Sequence, residues 1–215
     1  MTWRDPEGGE TVASGWHTAA MPSPLTPEGF DDLHDFIKIQ VAAGYAPVEE
    51  ILEDATALFA ESGVDPASVD HAARTITEQV MAAHLAEQAA WPARTDNDRL
   101  DAAFADLDGN GILARQHFAC CETCGAREIH DELDQAEKAG RTVRGFTFFH
   151  RQDTEHAIGG EGLYLSFGST DRDGTATIAI GHEVVEALAR HGLSPTWNGK
   201  QVHRILLPLV WRRPR

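Results

Sequence analysis

Apolar side chains recur at three- and four-residue intervals through the first half of the chain, and the period changes in the second half. Phe30, Leu33, Ile37 and Val41 fall on one face of a helix running from Glu28, and Gly44 follows as a residue able to end it. Pro47 suits the first turn of a second helix with the stripe Val48, Ile51, Leu52, Ala55, Leu58 and Phe59, stopped at Ser62-Gly63. Asp65-Pro66 joins an N-cap to a proline at the first helical position, and Val69, Ala73, Ile76, Val80 and Ala83 form a third stripe. Trp91-Pro92 interrupts that helix, and Thr95 caps a fourth carrying Leu100, Ala103, Phe104 and Leu107. The short connections between the first three predict antiparallel neighbours in a small bundle.

Past residue 93 the texture becomes mixed. A strand is predicted over 112–118, a helix over 126–139 (Ile129, Leu133, Ala136) stopped by Gly140, and a strand over 145–151. Residues 163–167 and 175–180 alternate with period two around Asp171-Arg172-Asp173-Gly174, which predicts an antiparallel hairpin. A short helix over 183–190, a strand at Thr196-Trp197, a turn at Asn198-Gly199 and a strand over 202–209 complete the pattern. The expected class is α+β: a bundle-like helical region followed by a mixed β-sheet domain with two packing helices. Three parts are expected: a disordered tail over 1–26, an acidic helical region over 27–93, and an α+β domain over 94–215.

Charge sharpens this division. The net charge is −16, and residues 1–94 carry 16 acidic against 4 basic groups, whereas residues 95–215 carry 18 against 14. A field of that sign repels phosphate backbones and anionic lipid, so neither nucleic acid nor a membrane is an expected partner. A solvated acidic surface is the plainer account of the helical region, and a docking face for a basic protein the functional one. The C-terminal V-W-R-R-P-R sets Trp211 beside arginines, but no nucleic-acid motif accompanies it. No long apolar run occurs and Met1 to Ala20 lack the features of a secretory signal, so the expected location is cytoplasmic. Three clustered cysteines, an odd number, fit a reducing compartment.

Chemistry concentrates in Gly111 to Gly125, G-I-L-A-R-Q-H-F-A-C-C-E-T-C-G. Just before it, Asp106, Asp108, Asn110 and Gly111 match the first half of a calcium-binding EF-hand loop. His117 stands where the bidentate Glu belongs, so the segment reads as a helix-to-strand turn. Cys121 and Cys124 form one C-x-x-C, half of a zinc ribbon, and the second pair is missing. If strands 112–118 and 145–151 are parallel neighbours across the 126–139 helix, their C-terminal ends share one edge, which brings F-F-H-R-Q-D-T-E-H (Phe148 to His156) toward the cysteines. The candidate metal ligands are therefore Cys120, Cys121, Cys124, His150 and His156, with Zn2+ the ion this donor set suits. His34, His71 and His84 lack partners at ligand spacing, and His130 is expected to point away from the cysteine corner.

Several readings stay open. The cysteines, with His150 or His156, form a zinc site that stabilises the C-terminal domain of a non-catalytic binding module; or a redox dithiol or thiol-dependent enzyme using Cys121 and Cys124, with Asp153 and His150 or His156 as proton partners; or they are only buried or incidental thiols. Against a thioredoxin-like arrangement, no aromatic residue directly precedes Cys121, and Ser194-Pro195 is the only downstream proline before a strand. In a further reading the acidic helices make the protein an adaptor or immunity-type protein that masks a basic partner.

The segments F-A-C-C-E-T-C-G (Phe118 to Gly125), G-F-T-F-F-H-R-Q-D-T-E (Gly145 to Glu155) and G-L-Y-L-S-F-G (Gly162 to Gly168) resemble an uncharacterised bacterial, largely actinobacterial, domain family. Its signature is F-x-C-C-x-x-C-G with a later H-x-Q-D/G-T-E. The resemblance spans about residues 95–212. It implies that the cysteine segment and the His150 segment belong to one domain, and it carries over no catalytic role.

Overall fold

Three amphipathic helices pack on one another at the start of the chain, which a computed structural model describes over residues 23–61, 63–171 and 174–215. Thr26 caps α1 (Pro27–Ala43) by accepting from Gly29 N, and Gly44 ends it at φ 78°, a left-handed conformation glycine adopts without strain. Asp65 caps α3 (Pro66–Gln88), and α2 (Val48–Glu61) packs beside it. Leu33, Ile37, Val41, Ile51, Val69 and Ile76 form the core of this layer. Most of the expected tail, residues 1–22, lies outside the described residues. Ser23 exchanges backbone bonds with Gly63 and Asp65.

A reciprocal capping box between Thr95 and Asp98 starts α4 (Asp96–Gly109). There follow β1 (Ile112–Arg115), α5 (Glu122–Lys138), β2 (Gly145–Phe148), α6 (Arg151–Ile158), β3 (Leu163–Ser169), α7 (Gly174–Arg190) and β4 (Ile205–Leu207). The strands form one sheet in the order β1-β2-β3-β4, with β1 and β2 parallel and the other pairs antiparallel. Among the described residues this makes seven helices and a four-stranded mixed sheet, an α+β fold. Alternation along the strands divides the core. Ile112, Leu163, Leu165 and Ile205 pack with Leu100, Phe104 and Val184 of α4 and α7, while Leu113 and Phe148 pack with Ile129 of α5.

Several expected elements differ. Residues 175–180 are the start of α7 rather than a strand: buried Ile180, Gly181, Val184, Ala187 and Leu188 follow helical spacing, which overrides the local period-two pattern. Residues 151–158 are helix α6, capped by His150 and Asp153, so the sheet domain has more than the two helices expected after β1. The strand expected over 112–118 ends at Arg115 and that over 145–151 ends at Phe148. Thr196 contributes an isolated bridge to Leu206, and β4 is only three residues long.

The calcium-like segment is, as expected, the junction of a helix with a strand. Asp106 pairs with Arg190, and Asp108 pairs with Arg115 and Arg141. The basic C-terminal segment is engaged within the protein. Trp211 Nε1 donates to Ala42 O at 2.9 Å, and Arg213 pairs with Asp101 at 2.9 Å and stacks 4.2 Å above Tyr45. Arg215 donates to Gln40 O and Val41 O, carbonyls at the C-terminal end of α1. No described helix is long and apolar enough to cross a membrane.

Candidate metal centre

The parallel pairing of β1 and β2, Ile112 to Gly145 through Arg115 to Phe148, sets the C-terminal ends of both strands at one edge of the sheet. Between β1 and α5 the chain turns through His117 (φ 51°) and Ala119 (φ 57°), two non-glycine residues in the left-handed region. Such conformations cost about 1 kcal/mol or more each and persist where surrounding bonds hold them. Here Phe118 N donates to Phe149 O at 2.8 Å, Arg151 N donates to Ala119 O at 3.2 Å, and His117 Nδ1 lies 2.9 Å from Thr154 Oγ1. The His117 ring stacks on Tyr45 with centroids 4.4 Å apart, which ties the loop to the turn between α1 and α2.

This loop delivers Cys121 to the N-cap of α5 and stations Cys120 just before it. The Sγ atoms of Cys120, Cys121 and Cys124 all lie within 4.8 Å of one another, and those of Cys120 and Cys121 are 3.8 Å apart. Two sulfurs each about 2.3 Å from a tetrahedral zinc stand about 3.8 Å apart, so this pair already has the required edge length. All three cysteines are free thiols; Cys120 is exposed and the other two are half-buried. They could hold a metal ion. Hydrogen bonding lowers the Cys121 thiol pKa, first from the Cys124 backbone N–H at the start of α5 and then from the neighbouring thiols. Cys124 is pushed up to about 11, because its own hydrogen bonds to Cys120 and Cys121 favour its protonated form.

His150 and His156 stand outside the three-sulfur group. His150 is 5% exposed and caps α6, its Nδ1 accepting from Asp153 N at 3.3 Å. Burial pushes its imidazole pKa down, opposed by the Asp153 carboxylate. His156 is exposed on α6, close enough for its charge to bear on His150.

Beside the thiols lies a second cluster of polar groups. Arg204 donates to both carboxylate oxygens of Asp153, which is 1% exposed, and to Tyr164 O at 2.7 Å. Asp153 Oδ2 also accepts from His150 N at 3.0 Å and lies 3.2 Å from His150 Nε2. The Glu122 carboxylate accepts from Ser166 Oγ at 2.9 and 3.0 Å, and its Oε2 is 3.4 Å from Arg204 Nε and 3.7 Å from His150 Nε2. Asp153 is legible in the sequence as a polar neighbour of the cysteines. Glu122, Ser166 and Arg204 are not, since nothing in local spacing places β3 and the start of β4 over the first turn of α5. The one hint is the position of Glu122 inside C-C-E-T-C.

A family model described as a domain of unknown function, DUF6891, matches residues 26–215. The chain belongs to this family. The DUF6891 match takes in the three N-terminal helices together with the sheet, so it extends well upstream of the cysteine motif. No curated protein and no solved structure matches the chain. Membership in DUF6891 brings no assigned reaction with it, and the chemistry has to be argued from the cysteine corner itself.

Proposed function

We propose that this DUF6891 protein is a metal-binding module that holds one soft divalent ion, zinc above all, on Cys120, Cys121 and Cys124. The observation carrying this reading is the convergence of three free sulfurs within 4.8 Å where a loop held by backbone bonds enters α5. Three thiolates leave one position of a tetrahedral ion for a ligand from elsewhere, as in sites where zinc binds or exchanges a ligand. The fold around the cysteines also has its own apolar core. This is a binding role rather than a catalytic one, in a reducing, cytoplasmic setting that keeps thiols available. Protein isolated without chelator or affinity tag is expected to carry about one equivalent of zinc, and Cys121→Ser or Cys124→Ser to lose it while keeping its helical circular dichroism.

A second reading rests on the N-cap position of Cys121 and its lowered thiol pKa: a dithiol pair of Cys121 and Cys124 that cycles with a disulfide. The same preparation separates the two. Metal-free protein with one fast-titrating thiol favours the redox pair, and zinc-loaded protein whose thiols react only after chelation favours the metal site.

A further inference from the structure

The start of α5 has an unusual construction. Its N-cap is Cys121 rather than the Ser, Thr, Asp or Asn that most often fixes a helix start, and a thiol is a weak acceptor, so the usual strong cap is absent where two candidate ligands need fixing. The next side chain provides the anchor instead. Glu122 reaches across to β3, accepting from Ser166 Oγ at 2.9 and 3.0 Å, and lies 3.4 Å from Arg204 Nε. Arg204 is held in turn by Asp153, which is almost fully buried in the first turn of α6. The first turn of α5 is thereby hydrogen-bonded to β3 and ion-paired with Arg204, the residue before β4, which in turn holds Asp153 of α6. Cys121 and Cys124 flank Glu122 at the preceding position and two positions on, so the backbone fixed by this carboxylate also aims both sulfurs.

We infer that Glu122 is a positioning residue for the thiol site: anchored to Ser166 and Arg204, it holds the first turn of α5 so that the Cys121 and Cys124 sulfurs converge. The inference rests on the proposed metal site for its meaning, though the convergence itself is measurable without metal. Groups that orient metal ligands from behind typically govern affinity by 10- to 100-fold. A carboxylate bonded to Ser166 and facing Arg204 is suited to that task, because it constrains the turn from two directions.

The test uses the full chain as wild type, Glu122→Ala, Glu122→Gln and Ser166→Ala. Two quantities are measured on each: zinc affinity by competition with a chromophoric chelator, and, on metal-free protein, the equilibrium between the Cys121–Cys124 disulfide and glutathione. Glu122→Ala is expected to weaken zinc binding by about 10-fold or more and to shift the disulfide equilibrium toward the dithiol. Glu122→Gln, whose amide oxygen still accepts from Ser166, is expected to recover most of both losses. Ser166→Ala should move both quantities in the direction of Glu122→Ala, and it serves in its place if that variant does not fold. A disulfide equilibrium equal to wild type in the variants that remove the anchor overturns the inference. Wild-type protein that binds no zinc sinks the metal reading instead, and the disulfide equilibrium then still decides the role of Glu122.

Discussion

Gly125 sits directly beneath the cysteines, where α5 meets the sheet. A Cβ there would fall 2.6 Å from Cε2 of Phe148, which is 1% exposed, stacked with Phe146 and edge-on to Phe118. Replacing a helical glycine by alanine ordinarily gains about 1 kcal/mol; here the overlap with a packed ring reverses the sign. Gly125→Ala is expected to lower stability by on the order of 2 kcal/mol, read as a lower urea midpoint at unchanged slope. His117 makes a second prediction at this scale. Burial, reinforced by the nearby Arg151 and Arg213, lowers its pKa from 6.5 to about 4, so the fold favours the neutral ring. Its contribution is complete above pH 6.5 and is lost as the pH falls through 4, because the unfolded chain takes up the proton first. Urea midpoints at pH 7 and pH 5 should therefore fall further apart in wild type than in His117→Gln.

At the scale of elements, the β1-α5-β2 unit was legible from its apolar pattern and from the glycine after the helix, and its parallel pairing does bring the His150 segment to the cysteine edge. The role of His150 was not legible. The run Phe148 to His156 reads as rich in groups that ligate metals or move protons, and within it His150 and Asp153 form a capping box that starts a helix, with the imidazole turned to Asp153. Thr175 to Ile180 misled in the opposite way, since T-A-T-I-A-I, rich in β-branched residues, suits a strand until the stripe continuing to Leu188 is counted with it. Arg204 follows a stretch without regular structure, and only the return of β4 to β3 sets it against Asp153. That pair is a central strut of the region: the carboxylate is nearly fully buried, and removing its charge leaves Arg204 with only the half-exposed Glu122 carboxylate as a counter-charge. Asp153→Asn is expected to cost about 3 kcal/mol in urea unfolding, well beyond the effect of a surface aspartate such as Asp35.

On the scale of the whole molecule, the acidic helices and the sheet have separate apolar cores, and two features join them beside the thiol loop. Tyr45 donates to Gln116 Oε1 and stacks on His117, while the C-terminal segment lays Trp211, Arg213 and Arg215 against α1 and the turn that follows it. The loop carrying Cys120 and Cys121 thus springs from the seam between the two cores, and the match of one family model across both parts accords with that arrangement. The proposed binding role requires that the three sulfurs act together on one ion. X-ray absorption at the zinc edge of the purified full chain tests this most directly. Three sulfur neighbours at about 2.3 Å with one lighter ligand are predicted; a zinc bound by one sulfur or none, or protein that takes up no zinc at all, would contradict the claim.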